Sequence, residues 1–129
     1  MRILLVENSP TVRNIQRNAL KKLGYEDVVE AADGVQALLR LGQQRVDLLL
    51  VDWNLPAISG LALVRKIRAT DRRIPIIMVT TEADKPRVME AVRAGANNYV
   101  IKPFTTEALG EKIARTLARR AKAKSPAAR

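Results

Sequence analysis

The chain has 129 residues, no cysteine, no histidine and a net charge of +10 at pH 7. This length predicts one domain, and the missing residue types exclude disulfides, thiolate or imidazole metal sites, Ser-His catalysis and a role as phosphohistidine donor. No apolar run is long enough to span a bilayer and no signal-peptide pattern follows Met1, so we expect a cytoplasmic protein with no membrane partner.

The chain alternates short apolar runs with segments of helical spacing, and each run is apolar throughout. This pattern is typical of a parallel sheet covered by helices on both faces. We therefore predict a doubly wound α/β domain with five strands and five helices. The strands are predicted at Ile3–Val6, Val28–Ala31, Leu48–Val51, Ile76–Val79 and Tyr99–Ile101.

Capping residues and helix-stopping glycines mark the ends of the predicted helices. Helix N-caps are expected at Ser9, Asp33, Ser59 and Asp84, and stops at Gly24 and Gly95. The apolar positions at helical spacing include Ile15 and Leu20 in the first helix, Val35, Leu38 and Leu39 in the second, Met89 and Val92 in the fourth, and Leu109, Ile113 and Leu117 in the fifth.

Most of the net positive charge lies at the C-terminal end of the chain. Seven basic residues and no acidic residue follow Glu111. We interpret them as a solvated helix end and a basic, disordered tail over residues 121–129, after a domain at residues 1–120. A nucleic-acid partner is not expected. Salt-sensitive binding that is lost when residues 119–129 are deleted would indicate one.

Polar side chains follow four of the predicted strands at the point where each strand ends. Glu7 and Asn8 follow the first strand, Asp52 the third, Thr80 the fourth and Lys102 the fifth. Ligands of open parallel sheets bind beyond the carboxyl ends of the strands. Folding needs no such convergence of charged and polar groups, so we predict a functional site centred on Asp52.

Four motifs in chain order resemble the receiver domains of bacterial response regulators, most closely the single-domain chemotaxis type. The motifs are Asp52–Pro56 with Gly60, Met78–Thr80, Ala94–Ala96 and Tyr99–Phe104. The resemblance covers Arg2 to about Leu117. It implies a flavodoxin-like (βα)5 fold with strand order 2-1-3-4-5 and a cis peptide bond before Pro103.

The resemblance implies a phosphorylation-dependent switch in two-component signalling. Asp52 would accept a phosphoryl group from the phosphohistidine of a histidine kinase or phosphotransfer protein. Lys102 would form a salt bridge to the phosphoryl oxygens, and Thr80 would hydrogen-bond one of them. Such a protein is not an enzyme; it is a phosphoacceptor that assists its own phosphorylation and dephosphorylation.

The resemblance also implies a Mg²⁺ site formed by Glu7, Asn8, Asp52 and the backbone carbonyl of Asn54. Receivers of this kind usually carry two aspartates after the first strand, whereas this chain has Glu7-Asn8. The pair has one negative charge fewer than two aspartates, so we expect Mg²⁺ to bind less tightly.

Two further sets of residues have implied roles. Thr80 and Tyr99 would form the switch, which reshapes the face formed by the fourth helix, fifth strand and fifth helix, where an output protein would bind. Asn54 and Glu82 flank the route of the attacking water, and their polarity and modest size predict a short-lived phosphorylated state.

Two other functions remain open at the level of the sequence. A pseudo-receiver would dock its partner whether or not Asp52 can be modified. A flavodoxin-type cofactor module shares the architecture, but it needs a phosphate-binding loop after the first strand and aromatic residues against the flavin. Glu7-Asn8 opposes a phosphate at that loop, and the chain has only four aromatic residues.

Overall fold

The computed structural model describes the backbone of residues 1–124 and the side chains of residues 1–120. Strands and helices alternate along the chain. The strands are β1 (Ile3–Val6), β2 (Val28–Ala31), β3 (Leu48–Val51), β4 (Ile76–Thr80) and β5 (Asn98–Ile101). The helices are α1 (Pro10–Lys22), α2 (Gly34–Gln43), α3 (Gly60–Thr70), α4 (Lys85–Ala94) and α5 (Thr106–Lys124).

All five strands lie parallel in one sheet of order β2-β1-β3-β4-β5, which confirms the predicted fold class. Helices cover both faces of the sheet. Residues of α2, α3 and α4 pack on one face in a single apolar cluster, and residues of α1 and α5 pack on the other. The inner strands β1, β3 and β4 therefore bury both of their faces, which explains why their sequences are almost entirely apolar. The edge strands β2 and β5 are only partly buried and include Glu30 and Asn98.

The predicted N-caps are confirmed. Ser9, Asp33, Ser59 and Asp84 each accept a hydrogen bond from the backbone N–H three residues later, at the start of α1, α2, α3 and α4. Each cap satisfies a backbone donor that a helix start leaves without an intrahelical partner. Because these helices start just beyond the carboxyl ends of strands, the caps fix the loops around the candidate site.

Several apolar residues at helical spacing face solvent. Ile15 of α1 is 57% exposed and Leu39 of α2 is 56% exposed, whereas Ala37 of α2 and Ala91 of α4 are fully buried. The buried apolar residue of α2 and of α4 is thus a small alanine, whereas larger apolar residues of these helices lie on the outer face. The apolar face of α5 is as predicted, with Leu109 and Ile113 fully buried.

The strand register brings the carboxyl ends of the four adjacent strands β1, β3, β4 and β5 to one edge. Val6 pairs with Val51, Val51 with Met78, and Thr80 with Ile101. The residues that follow these strands therefore lie side by side.

None of the described helices is long and apolar enough to cross a membrane. The helix α5 continues to Lys124, past the predicted boundary at residue 120; residues 125–129 lie outside the described residues, so a disordered tail stays a prediction.

Candidate functional site

The centre of the site is an ion-paired group of two carboxylates and one ammonium. Asp52 follows β3 and is 6% exposed, and Glu7 follows β1 and is 3% exposed. The Lys102 Nζ atom lies 2.6 Å from Glu7 Oε1 and 2.9 Å from Asp52 Oδ2, so it bridges the two acids. The other oxygen of Asp52, Oδ1, accepts a hydrogen bond of 3.1 Å from the backbone N–H of Asn54.

The pKa values of this group favour the charged forms. Burial raises the pKa of Asp52, but hydrogen bonds from Lys102, Thr80 and the Asn54 amide, with the charge of Lys102, outweigh it and leave the pKa below its ordinary value. Burial lowers the pKa of Lys102, but its contacts with Glu7 and Asp52 leave that pKa above its ordinary value. Asp52 is therefore an ionised carboxylate at neutral pH, which is the form that a nucleophile needs.

The residues at the end of β1 are held in different ways. Glu7 Oε2 accepts a hydrogen bond of 2.9 Å from the Ser9 backbone, and the Glu7 carbonyl accepts one of 2.7 Å from Arg13. Asn8 is exposed, and its amide donates to the Ala32 carbonyl at 3.3 Å. Glu7 thus belongs to the central group, whereas the amide nitrogen of Asn8 bonds to the loop after β2.

The loop after β3 is packed tightly against the start of α3. The Gly60 N–H donates to the Trp53 carbonyl at 2.7 Å, and a Cβ atom at Gly60 would lie 2.0 Å from the carbonyl oxygen of Asp52. Only glycine fits this close approach. The first residue of α3 therefore packs directly against the backbone of Asp52.

A second group links β4 to β5. Thr80 is fully buried, and its Oγ1 accepts a hydrogen bond of 3.4 Å from the Glu82 N–H. The Tyr99 hydroxyl donates to the Glu82 carbonyl at 2.5 Å. Burial and the nearby charge of Glu82 raise the pKa of Tyr99 to about 12. The two predicted switch residues are thus joined through the backbone of Glu82.

The side chain of Glu82 connects the two groups. Its Oε2 accepts a hydrogen bond of 3.0 Å from the Asn54 side-chain amide, and its Oε1 lies 3.2 Å from Arg87 of α4. Sequence reasoning paired Asn54 with Glu82 but missed Arg87. The available signal was weak, since an arginine three residues after a helix cap is common on helix surfaces.

The structure brings the predicted site residues to one edge of the sheet. Glu7, Asp52 and Lys102 are in direct contact, and Asn54 contacts both Asp52 and Glu82. The peptide bond before Pro103 is cis, as the resemblance implies. In the described part of the chain, no cluster of three or more acidic side chains could hold a metal ion.

The oxygen donors present nevertheless fit Mg²⁺. This ion prefers hard oxygen ligands and is commonly held by one or two carboxylates with water and phosphate oxygens. Glu7 and Asp52 supply two ionisable carboxylates that lie within reach of one ammonium, and Asn54 adds a backbone carbonyl. The set can hold the ion, with less negative charge than a site of three carboxylates.

Comparison with known proteins agrees with the fold. Residues 3–114 match the response regulator receiver domain family. The chain belongs to this family, whose members are the receiver domains of two-component response regulators. Within the family it is CheY-like. It is 49% identical over 116 residues to the chemotaxis protein CheY1 of Helicobacter pylori, a match that covers 88% of this chain and 94% of the relative.

Solved structures show the same architecture. A CheY-like receiver domain from Methanospirillum hungatei is 30% identical, with a TM-score of 0.86 and coverage of 94% of this chain and 96% of that chain. The receiver domain of a sensor histidine kinase from Pseudomonas aeruginosa is 37% identical, with a TM-score of 0.82 and coverage of 91% and 97%. That structure has a magnesium ion coordinated in its active-site cleft. Family membership favours the receiver interpretation over a flavodoxin-type cofactor module.

Proposed function

We propose that this chain is a phosphoacceptor switch that takes a phosphoryl group onto Asp52 and signals through a protein-binding face. The observation that carries the proposal is the buried, ionised Asp52 carboxylate in contact with Lys102. An ammonium beside the carboxylate supplies the positive charge that a transferred phosphoryl group requires. The phosphoryl donor would be a histidine kinase or phosphotransfer protein, consistent with the family.

The groups at this edge would take part directly in the transfer step. A carboxylate oxygen of Asp52 attacks phosphorus, the phosphorus–nitrogen bond of the donor's phosphohistidine breaks, and the donor imidazole keeps the electron pair and takes up a proton. Lys102 then contacts phosphoryl oxygens in addition to Glu7. The hydroxyl of Thr80 would donate to another of these oxygens. The chain binds and orients the group without turning over a substrate, so we propose that it is not an enzyme.

Glu7, Asp52, Asn8 and the Asn54 carbonyl would hold Mg²⁺ at this edge. When bound, the ion would neutralise charge that develops on the phosphoryl oxygens. Glu7 would have to divide its carboxylate between the ion and Lys102, because Glu7 Oε1 already accepts from the ammonium at 2.6 Å.

The output of the switch would be a protein contact at the face formed by α4, β5 and α5. Met89 is 42% exposed, Val92 53% and Ile101 40%, so this face presents apolar side chains to solvent. Tyr99 lies on β5 beneath it and is bonded to the loop before α4. Movement of Thr80 and Tyr99 upon phosphorylation would change this face, and with it the affinity for the output protein.

A pseudo-receiver is the second candidate function. The specific observation in its favour is that Lys102 pairs with both Glu7 and Asp52, while Asn8 contributes no charge. Two carboxylates and one ammonium leave a single net negative charge, which attracts a metal ion less strongly than a site with more acidic ligands would. Such a chain would dock its partner without modification of Asp52.

One experiment separates the two candidates. The full chain is incubated with acetyl phosphate and saturating Mg²⁺, and its intact mass is measured. The phosphoacceptor proposal expects one added phosphoryl group in the wild type and none in Asp52→Asn. Thr81→Ala serves as a control for the loss of a nearby exposed hydroxyl and should still be modified. An unmodified wild type would refute the phosphoacceptor and support the pseudo-receiver.

A further inference from the structure

We propose that Arg87 is a positioning residue that holds Glu82 against Asn54 and thereby sets the lifetime of phosphorylated Asp52. This inference rests on the proposed phosphoacceptor function. It adds a residue of α4 to the group that controls loss of the phosphoryl group. It also connects that control to the helix that forms part of the proposed output face.

A continuous series of contacts runs from the acceptor to α4. The Asn54 backbone N–H donates to Asp52 Oδ1 at 3.1 Å, and the Asn54 side-chain amide donates to Glu82 Oε2 at 3.0 Å. The second oxygen of Glu82, Oε1, lies 3.2 Å from an Arg87 guanidinium nitrogen. The carboxylate of Glu82 is therefore held at both oxygens, by one residue on each side.

Arg87 is itself fixed to the first turn of α4. Its backbone N–H donates to Asp84 Oδ1 at 2.9 Å, and its guanidinium also pairs with the other carboxylate oxygen of Asp84. Asp84 is the N-cap of α4, so the guanidinium is anchored to the cap of the helix that carries it. The position of the first turn of α4 thus determines where Glu82 is held.

The reaction that this group would control is hydrolysis of the acyl phosphate. A water oxygen attacks phosphorus, the bond between phosphorus and the Asp52 oxygen breaks, the carboxylate is regenerated and inorganic phosphate leaves with both protons of the water. Glu82 and Asn54 can order that water only while their side chains keep their positions. Without Arg87, one contact with Asn54 is left to fix the Glu82 carboxylate, and the ordering is lost.

The test compares Arg87→Ala, Arg87→Lys and the control Arg93→Ala. Arg93 lies on the same helix, is exposed and makes no ion pair with the described residues, so its loss removes the same charge without touching Glu82. Each protein is phosphorylated at saturating Mg²⁺, the donor is removed, and decay is followed by intact mass. We expect Arg87→Ala to decay about three- to tenfold more slowly than the wild type. The decay rate of Arg87→Lys should lie between those of Arg87→Ala and the wild type. Arg93→Ala should decay at the wild-type rate.

A second measurement shows whether Arg87 acts through Glu82. In a Glu82→Ala background, Arg87→Ala should change the decay rate less than about twofold, because the group that Arg87 positions is already absent. The NMR signals of the Asn54 side-chain amide should shift in Arg87→Ala and stay in place in Arg93→Ala. This shift is measured on the unphosphorylated chain.

Three results would overturn the inference. The first is decay of Arg87→Ala at or above the wild-type rate, and the second is a slowing by Arg87→Ala that is as large in the Glu82→Ala background as in the wild type. The third is an Asn54 amide signal that does not shift in Arg87→Ala. A wild type that takes up no phosphoryl group is a different result, since it refutes the proposed function as a whole. A wild type that is phosphorylated and decays like Arg87→Ala refutes only the role of Arg87.

Discussion

Glu7 and Lys102 form the shortest ion pair at the centre of the site. The extra methylene of glutamate, relative to aspartate, lets the Glu7 carboxylate reach the ammonium at 2.6 Å. Because of this contact, a bound cation would share the negative charge of Glu7 with Lys102. Asn8 supplies an oxygen atom without charge, so the attraction of the site for Mg²⁺ depends mainly on Glu7 and Asp52, and both of these carboxylates also pair with Lys102.

The first prediction at this scale concerns Asn8. Asn8→Asp restores an anionic ligand beside Asp52, so it should tighten Mg²⁺ binding roughly tenfold, or about 1.4 kcal/mol. Titration of the metal by Trp53 fluorescence measures the change, since the indole is next to Asp52 in the chain. Asn18→Asp, on the exposed side of α1, adds the same charge away from the site and should leave the affinity unchanged. Equal affinity in Asn8→Asp and the wild type would show that residue 8 is not at a ligand position.

At the scale of a helix, α1 buries the polar residue Gln16 and exposes the neighbouring apolar residue Ile15. Gln16 is 2% exposed, and its Oε1 has no hydrogen-bond partner among the described residues. Ile15, one position earlier, faces solvent. A buried acceptor without a partner costs about 1–3 kcal/mol of folding free energy. The contact of α1 with the sheet is therefore weaker than an apolar residue at position 16 would make it.

We predict that Gln16→Met stabilises the protein by about 1 kcal/mol, because methionine keeps the length of the side chain and removes the unsatisfied oxygen. Urea unfolding followed by circular dichroism gives the free energy of unfolding. Ile15→Met changes an exposed neighbour on the same helix and should alter stability by less than about 0.5 kcal/mol. A Gln16→Met protein less stable than the wild type would mean that the amide has a partner in solution.

The elements also show which parts of the structure the sequence predicts. Strands and N-caps depend on residues within a few positions of each other, such as Ser9 and Val12, so local patterns locate them. The buried faces of α1 and α2 depend on how closely each helix approaches the sheet, which apolar spacing does not specify. The site edge follows from topology, but the Lys102–Glu7 contact joins residues 95 positions apart, and only the folded structure shows it.

At the scale of the whole molecule, charge and the missing residue types determine how stability varies with pH. The chain has no histidine or cysteine, so the side-chain types present ordinarily titrate below about pH 5 or above about pH 9. Stability should therefore be nearly constant in between. In acid, protonation of the 13 carboxylate side chains leaves 23 basic side chains without compensation, and their mutual repulsion favours the unfolded chain.

The last prediction assigns a part of the acid transition to Asp52. Its pKa is lower in the folded protein than its ordinary value, so below about pH 4 the unfolded chain binds more protons than the folded one does. The stability that this carboxylate contributes is present above the unfolded pKa and is lost as pH falls through the folded pKa. Asp52→Asn has no such proton to bind, so its free energy of unfolding should fall less steeply between about pH 5 and pH 2.

Urea unfolding of both proteins at a series of pH values from 6 to 2 measures these slopes, with equal dependence on urea concentration as the check that both unfold in one step. The difference between the two curves should be constant above about pH 5 and should change only in the acid range. The sign is fixed by the contacts, because Lys102 and the Asn54 amide stabilise the charged form of Asp52 in the folded state alone. Parallel curves over the whole range would mean that Asp52 has the same pKa in both states and that the ion pair with Lys102 does not form in solution.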